Sequence, residues 1–233
     1  IKEYWSIKCS FLNKRNNMDY KSEIVKKINE MAKYYSAHQV FRDWIEVYAL
    51  SIANFCEPKG TPVWEKREQQ YLSTIGKYQE QEILGFADLG GMLALALEED
   101  ISDVLGAVYM GLETSSKVTG QFFTPDNISR LVSKMMDDEV VSTDMPIKLY
   151  EPACGSSGMI IAYARALRDK DINYQRLLDI KASDIDFACV YMSYIQLSLL
   201  GIKAVIARQD SLLGEKVPQE HIFVTPAKKG LLL

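Results

Sequence analysis

The segment Glu151–Gly158 carries the residue types best suited to binding a small ligand. It reads EPACGSSG and lies between a run typical of a strand, IKLYEP, and a run typical of a helix, GMIIAYARALRD. Small residues let the backbone turn sharply and approach a ligand, and a helix N-terminus offers unpaired N–H groups. The leading acid and the absence of a GxGxxG pattern favour a cationic ligand without phosphates. A tight strand–helix turn that binds nothing is the alternative.

A second motif, GQFFTPDNISRLVSKMM, lies upstream of this loop. Thr124 is a favoured helix N-cap, and Pro125 suits the first helical position, where no N–H donor is needed. These helix signals leave Gln121, Phe122 and Phe123 unexplained, because a core does not obviously require two aromatic residues just before a helix. An ordinary capped helix is the alternative.

Taken together and in this order, TGQFFTP and EPACGSSGMII resemble the N6-adenine-specific DNA methylase family, most closely the modification (M) subunit of type I restriction-modification systems. The resemblance implies S-adenosyl-L-methionine (SAM) as cofactor and methyl transfer to adenine N6 in DNA. In that family the QFFTP segment covers the methionine end of SAM, and the second loop holds it from below. The implied cofactor-binding residues are Gln121, Phe122, Phe123, Thr124, Pro125, Glu151, Pro152, Ala153, Gly155, Ser156, Ser157 and Gly158.

Two further segments resemble family motifs in the expected order. ASDIDFACVYMSYIQLSLLGI resembles the stretch in which an acid closing the second strand binds the ribose hydroxyls, and Asp184 is the residue we assign, with Asp186 close behind. A carboxylate suits that role because it accepts hydrogen bonds from both hydroxyls. Alternatively, both acids cap the following helix. ARQDSL resembles the segment whose acid, here Asp210, contacts the adenine amino group of the cofactor.

The catalytic motif of the family is altered in this chain. The family uses (N/D/S)-P-P-(Y/F/W) after the fourth strand to hold the amine of a flipped base and to stack on its ring. At that place the sequence reads Thr225-Pro226-Ala227-Lys228, and the chain contains no other NPPY-like tetrapeptide. Thr225 and Pro226 are therefore the candidate catalytic positions, and efficient methylation by this chain alone is not expected. A degenerate module that binds SAM, DNA or a partner is the rival interpretation, and a methyltransferase for another substrate is a third.

The residues around these motifs predict two kinds of architecture. Apolar positions at helical spacing predict five helices in the first half. Four short runs that alternate with helical stretches, IKLYEP, LLDIKASDID, KAVIARQDS and HIFVTPA, predict a parallel α/β sheet after about residue 117. We therefore expect a helical N-terminal domain over residues 1–117. Residues 118–233 are expected to form a Rossmann-like SAM-dependent methyltransferase domain, partial or truncated because later strands are missing.

The five helices are predicted at Asp19–Tyr35, Val40–Cys56, Val63–Tyr78, Glu80–Glu98 and Ile101–Leu112. The spacing of apolar residues in the third helix predicts that Trp64, Tyr71, Leu72 and Ile75 face inward. Gly90 and Gly91 weaken the prediction of the fourth helix, since glycine is a poor helix former.

Composition limits the kinds of partner. The net charge is −4, so an overall basic face is lacking, and DNA binding is expected to need a specificity subunit or another protein partner. Four cysteines without a CxxC pair and two histidines give no reason to expect a metal site. No apolar run approaches the ~20 residues that span a bilayer, and no signal peptide is recognisable. A cytoplasmic protein without membrane contact is expected.

Overall fold

The computed structural model describes residues 19–113, 145–213 and 216–231. The first range contains helices α1 (Tyr20–Met31), α2 (Ala37–Phe55), α3 (Pro62–Ile75), α4 (Glu80–Glu99) and α5 (Val104–Glu113). The later ranges contain β1 (Ile147–Glu151), α6 (Gly158–Asp169), the single turn α7 (Tyr174–Leu177), β2 (Leu178–Asp184), α8 (Phe187–Leu199), β3 (Lys203–Arg208) and β4 (Ile222–Val224). Short 3-10 turns at Gln219–His221 and Pro226–Lys229 flank β4. The predicted mixed α/β fold, helical first and then alternating, is confirmed.

Side-chain caps fix where the first helices begin. The side chains of Asp19, Ser36 and Thr61 each accept a hydrogen bond from a backbone N–H in the first turn of α1, α2 and α3. Such a bond satisfies one of the donors that a helix start leaves unpaired. Helix α1 ends at Met31, earlier than predicted, whereas α4 continues through its glycine pair.

The buried face of α3 differs from the prediction. Leu72 is 56% exposed, so the expectation that it faces inward is wrong. Arg67 and Thr74 are the buried residues of this helix, and Tyr71 and Ile75 are partly buried against the core. Apolar spacing misled the prediction because α3 buries an arginine that bonds to main-chain carbonyls of a distant segment.

The described strands form one sheet in the order β1-β2-β3-β4. β1 pairs parallel to β2, and β2 pairs parallel to β3, as predicted. β4 runs antiparallel to β3, with Ile206 opposite Phe223, so the expectation of a fully parallel sheet is wrong for its last strand. As a result, β4 ends beside the amino end of β3.

Helix α8 lies between the sheet and the helical layer. It packs on β3 and β2 on one side and on α2 on the other, and nearly all of its residues are buried. The same apolar core continues from the α1–α5 region into the sheet. The predicted domain boundary at residues 117 and 118 lies outside the described residues.

Within the described ranges, no helix is long and apolar enough to cross a membrane. The same ranges contain no group of three or more His, Cys, Asp or Glu side chains that could hold a metal ion. Cys56, Cys154 and Cys189 are free thiols.

Arg67 joins α3 to the segment around β4. Its Nε donates to the carbonyl oxygen of Glu220 at 3.3 Å, and its Nη2 donates to that of Ile222 at 2.6 Å. The guanidinium carbon lies 4.7 Å from the centre of the Phe223 ring. Burial lowers the pKa of Arg67, but the ring and the carbonyls offer partial negative charge to the cation.

We expect Arg67→Ala to lower the free energy of unfolding by about 2–4 kcal/mol, because it leaves two carbonyls without a donor and removes the ring contact. Chemical denaturation monitored by circular dichroism measures the loss. Lys66→Ala is the matched control, since Lys66 is exposed and bonds to the Glu220 carboxylate at 2.6 Å rather than to main-chain carbonyls. Equal losses in the two variants would contradict the role assigned to Arg67.

Candidate functional site

The loop after β1 is fastened to the carboxyl end of β2. The backbone N–H of Cys154 donates to the carbonyl oxygen of Ser183 at 2.9 Å. The backbone N–H of Gly155 donates to Oδ2 of Asp184 at 2.9 Å. Carboxyl ends of parallel strands meet at one edge of a sheet, which is where α/β proteins bind their ligands. The structure therefore brings the predicted loop and the predicted acid together at that edge.

Asp184 and Asp186 have different contacts. The second oxygen of Asp184, Oδ1, accepts from the backbone N–H of Asp186 at 3.0 Å. Asp186 caps α8 by accepting from the N–H of Ala188 at 2.9 Å, and it forms an ion pair with Arg42 at 2.6 Å. Helix capping is thus the role of Asp186. Asp184 is half-buried, and each of its oxygens can accept a further hydrogen bond.

The loop uses two left-handed backbone positions. Gly155 has φ of +53°, a conformation that glycine adopts without a steric penalty. Ser157 has φ of +72°, which is uncommon for a residue with a side chain. Its hydroxyl group is hydrogen-bonded to that of Ser193 on α8. This side-chain contact within the core helps to hold the strained residue in place.

Ser156 and Ser157 face the protein interior. Each is 1% exposed, and the hydroxyl of Ser156 donates to a carboxylate oxygen of Asp103. Gln196 on α8 donates to the carbonyl oxygen of Ser156 at 2.8 Å. Sequence reasoning missed Asp103, Ser193 and Gln196. For Ser193 and Gln196 the available signal was the presence of polar side chains within the otherwise apolar stretch of α8.

A second set of bonds links the loop to the end of β3. The hydroxyl of Ser211 donates to the carbonyl oxygen of Pro152 at 2.7 Å, and it lies 2.8 Å from the hydroxyl of Ser183. Asp210 follows β3 at this edge, where its Oδ1 accepts from the N–H of Leu212 at 2.9 Å. The predicted acids Glu151, Asp184 and Asp210 therefore follow or end three adjacent strands.

The candidate catalytic positions lie at the opposite edge of the sheet. Thr225 is fully buried, and its hydroxyl bonds to the N–H of Ala204 and the carbonyl oxygen of Ile202, at the amino end of β3. Pro226 is buried beside it. The antiparallel direction of β4 produces this position, so the structure does not bring Thr225 and Pro226 to the loop.

The other predicted motif, Gln121–Pro125, lies outside the described residues. The described part of the site therefore consists of the loop Glu151–Gly158 and the carboxyl ends of β1, β2 and β3. The assignment of Gln121, Phe122, Phe123, Thr124 and Pro125 to the cofactor stays a prediction.

The chemistry of the described edge fits SAM, a ligand with an ammonium, a sulfonium and ribose hydroxyls. The loop contains no lysine or arginine, and Glu151 and Asp184 place carboxylates beside it. Such groups attract a cation and accept hydroxyl hydrogen bonds, whereas they disfavour a phosphate. Pro152 and Ala153 are exposed and small, which leaves the outer side of the loop accessible.

A family model described as N-6 DNA Methylase matches residues 101–225, more than half of the chain. The chain is 26% identical over 129 residues to the type I restriction enzyme MjaIX methylase subunit of Methanocaldococcus jannaschii. That match covers 53% of this chain and 22% of the relative, so the chain spans about a fifth of the curated relative's length.

Two solved structures are similar in part. One is a putative class I S-adenosylmethionine-dependent methyltransferase from Listeria monocytogenes, with 14% identity, a TM-score of 0.46, and coverage of 85% of this chain and 56% of that one. The other is a type I restriction-modification methyltransferase subunit from Streptococcus thermophilus, with 18% identity, a TM-score of 0.42, and coverage of 85% and 40%.

The α/β fold with a small-residue loop after β1 defines the structural class of the chain. The family match identifies the chain more specifically than the fold does. The chain belongs to the N-6 DNA methylase family.

The cysteine inside the loop, Cys154, is expected to have low reactivity. Burial raises the pKa of Cys154 to about 12, and burial likewise raises the pKa of Cys189 on α8. At pH 8 the Cys154 thiol is therefore almost entirely protonated, whereas the thiolate is the reactive form.

We expect Cys154 and Cys189 to resist alkylation by iodoacetamide in the native protein at pH 8 and to react fully in denaturant. Half-buried Cys56 is the internal comparison, with a pKa raised by less complete burial. Peptide mass spectrometry after timed labelling measures the three rates. Native labelling of Cys154 as fast as that of Cys56 would contradict the buried position of the loop cysteine.

Proposed function

We propose that this chain binds SAM at the loop Glu151–Gly158 and acts in adenine-N6 methylation of DNA, as a modification-type subunit. The observation that carries the proposal is the hydrogen bond between the Gly155 N–H and the Asp184 carboxylate, in a member of the N-6 DNA methylase family. This bond supports the proposal because it joins the cofactor loop to the acid assigned to the ribose.

Each acid at the edge has an assigned part in binding. Asp184 would accept hydrogen bonds from the ribose hydroxyls, and Asp210 would accept one from the adenine amino group of the cofactor. Glu151, half-buried at the end of β1, would stabilise the ammonium of the methionine part. When bound, SAM would supply an electrophilic methyl group on its positively charged sulfur.

DNA and a second protein are the proposed partners. Presenting adenine N6 to a methyl donor requires the base to leave the helix. A chain with a net charge of −4 lacks the basic excess that phosphate binding requires, so a specificity subunit or another chain would supply DNA contacts. A cytoplasmic location is also proposed, because the proposed DNA substrate would be found there.

A second candidate function is that of a degenerate module that binds SAM, DNA or a partner without methyl transfer. The observation in its favour is the position of Thr225, which is buried at the edge of the sheet away from the loop. Lys228, at the place of the stacking aromatic, instead forms an ion pair with Asp179 at 2.7 Å. Neither side chain can hold a flipped base beside the loop in this arrangement.

Calorimetry with SAM tests the binding site. We expect Asp184→Ala to weaken binding about 10–100-fold, because it removes a charged acceptor and frees the N–H of Gly155. Asp179→Ala is the matched control: it lies on the same strand, but at the amino end, bonded to Lys228. Similar losses in both variants would contradict the assignment of Asp184, and an absence of binding by the wild-type chain would contradict the proposed function.

Gly155→Val should also abolish or strongly weaken SAM binding, since valine is strained at a φ of +53°. Gly60→Val is its control, because Gly60 is also left-handed, at +85°, and a Cβ there meets no atom within 4 Å. Normal affinity in the Gly155 variant would contradict the loop assignment, and equal loss in both would point to a general effect of backbone strain.

A methyl-transfer assay separates the two candidate functions. Labelled SAM is incubated with unmethylated DNA and the chain, with and without a cognate specificity subunit. We expect label in adenine N6 only when the partner is present. If the chain binds SAM but transfers no label in either reaction, the result would support the binding module and contradict the enzyme.

A further inference from the structure

We propose that Asp103 and Gln196 are positioning residues for the cofactor loop: they clamp its second half between the start of α5 and the buried helix α8. The expected effect on SAM affinity rests on the proposed function, whereas the expected effect on the structure of the loop does not. Neither residue belongs to the loop or to the acids assigned to the ligand.

Asp103 connects three separate segments. Its Oδ1 accepts from the N–H of Gly106 at 2.9 Å and from Nε2 of Gln196 at 3.0 Å. Its Oδ2 accepts from the hydroxyl of Ser156. One carboxylate therefore holds the first turn of α5, helix α8 and the loop at fixed separations, with hydrogen bonds of the stronger, charge-assisted kind.

Gln196 completes the clamp. It is fully buried, and its Oε1 accepts from the backbone N–H groups of Val104 and Leu105 at 2.9 and 3.0 Å. Its Nε2 donates to Ser156 and to Asp103. Both donor hydrogens and both acceptor sites of the amide are thus used, so its orientation is fixed. Losing any one partner would leave a buried polar group unpaired.

Gly106 shows how closely α5 approaches the loop. A Cβ at this position would lie 2.2 Å from Oδ2 of Asp103 and 2.5 Å from the hydroxyl oxygen of Ser156. A Cβ at Gly158, the first residue of α6, would lie 3.0 Å from the same Asp103 oxygen. The carboxylate therefore occupies space that a side chain at Gly106 would fill and that a side chain at Gly158 would crowd.

This geometry gives the helical region a part in holding the cofactor loop in place. The loop is held from the sheet side by Asp184 and Ser183, and from the helical side by Asp103 and Gln196. Displacing α5 would move Ser156, and with it the left-handed residues on either side. The affinity for SAM should consequently depend on residues that never contact it.

Hydrogen exchange of the ligand-free chain tests the clamp directly. We expect Asp103→Ala to increase exchange at residues 153–158 at least about 10-fold. Asp103→Asn should have a smaller effect, because the amide can still accept from Gly106 and can donate to the Ser156 hydroxyl. Arg67→Ala is the control for general destabilisation, since Arg67 lies at the other edge of the sheet. Equal loop exchange in the Ala variants of Asp103 and Arg67 would overturn the inference.

A glycine pair provides an independent test that leaves the hydrogen-bonding groups unchanged. Gly106→Ala should weaken SAM binding at least about 10-fold and increase loop exchange, because the added methyl group separates Asp103 from Ser156. Gly91→Ala, on α4 where an added Cβ would meet no described atom outside its own stretch of helix within 4 Å, should leave both unchanged and keep or raise the melting temperature. Unchanged loop exchange in the folded Gly106 variant would contradict the clamp.

The two hypotheses fail differently. If the wild-type chain does not bind SAM but Asp103→Ala and Gly106→Ala still loosen the loop, the proposed function fails and the clamp is supported. If SAM binds with the same affinity to the wild type and to both folded variants, the proposed function is supported and the positioning role is overturned.

Discussion

The hydrogen bonds that join the buried helix α8 to the loop after β1 are the interaction on which the candidate site depends. The helix lies between the sheet and α2, where an unpaired hydroxyl or amide would cost about 1–3 kcal/mol. Ser193 and Gln196 on this helix bond to Ser157 and Ser156 of the loop. The core of the protein and the floor of the candidate site are therefore parts of one packing arrangement.

The polar groups give the two edges of the sheet different chemistry. At the carboxyl edge, backbone N–H groups bond to Asp184, and the loop contributes no cation. At the amino edge, cations are abundant but engaged: Lys228 pairs with Asp179, and Lys229 pairs with Glu57 at 2.8 Å. The first edge presents carboxylate acceptors, whereas the charges of the second fasten the segment that follows β4.

Local patterns in the sequence predicted much of this arrangement. The five helices, β1 to β3 and the loop follow from spacing and small-residue signals that neighbouring residues carry themselves. The direction of β4 could not be predicted, because HIFVTPA has the same apolar pattern whichever way the strand runs. The buried side of α3 also depends on a distant segment, since Arg67 has its partners beyond residue 219.

The arrangement of the candidate site was predictable in part for the same reason. Asp184 and the loop residues belong to motifs contiguous in the sequence. Asp103 gave no signal, because its partners are Gly106 nearby and Ser156 and Gln196 far along the chain. The position of Thr225 likewise follows from strand pairing, which a tetrapeptide cannot encode.

The separation of the clamped residues along the chain has a consequence for folding. Asp103 lies 53 positions before Ser156 and 93 positions before Gln196. Contacts that close such long loops form late, because their entropic cost precedes any gain from packing. The loop would thus reach its final geometry only once both halves of the chain have docked. A ligand at this loop would then recognise the completed fold alone and shift the folding equilibrium towards it by mass action.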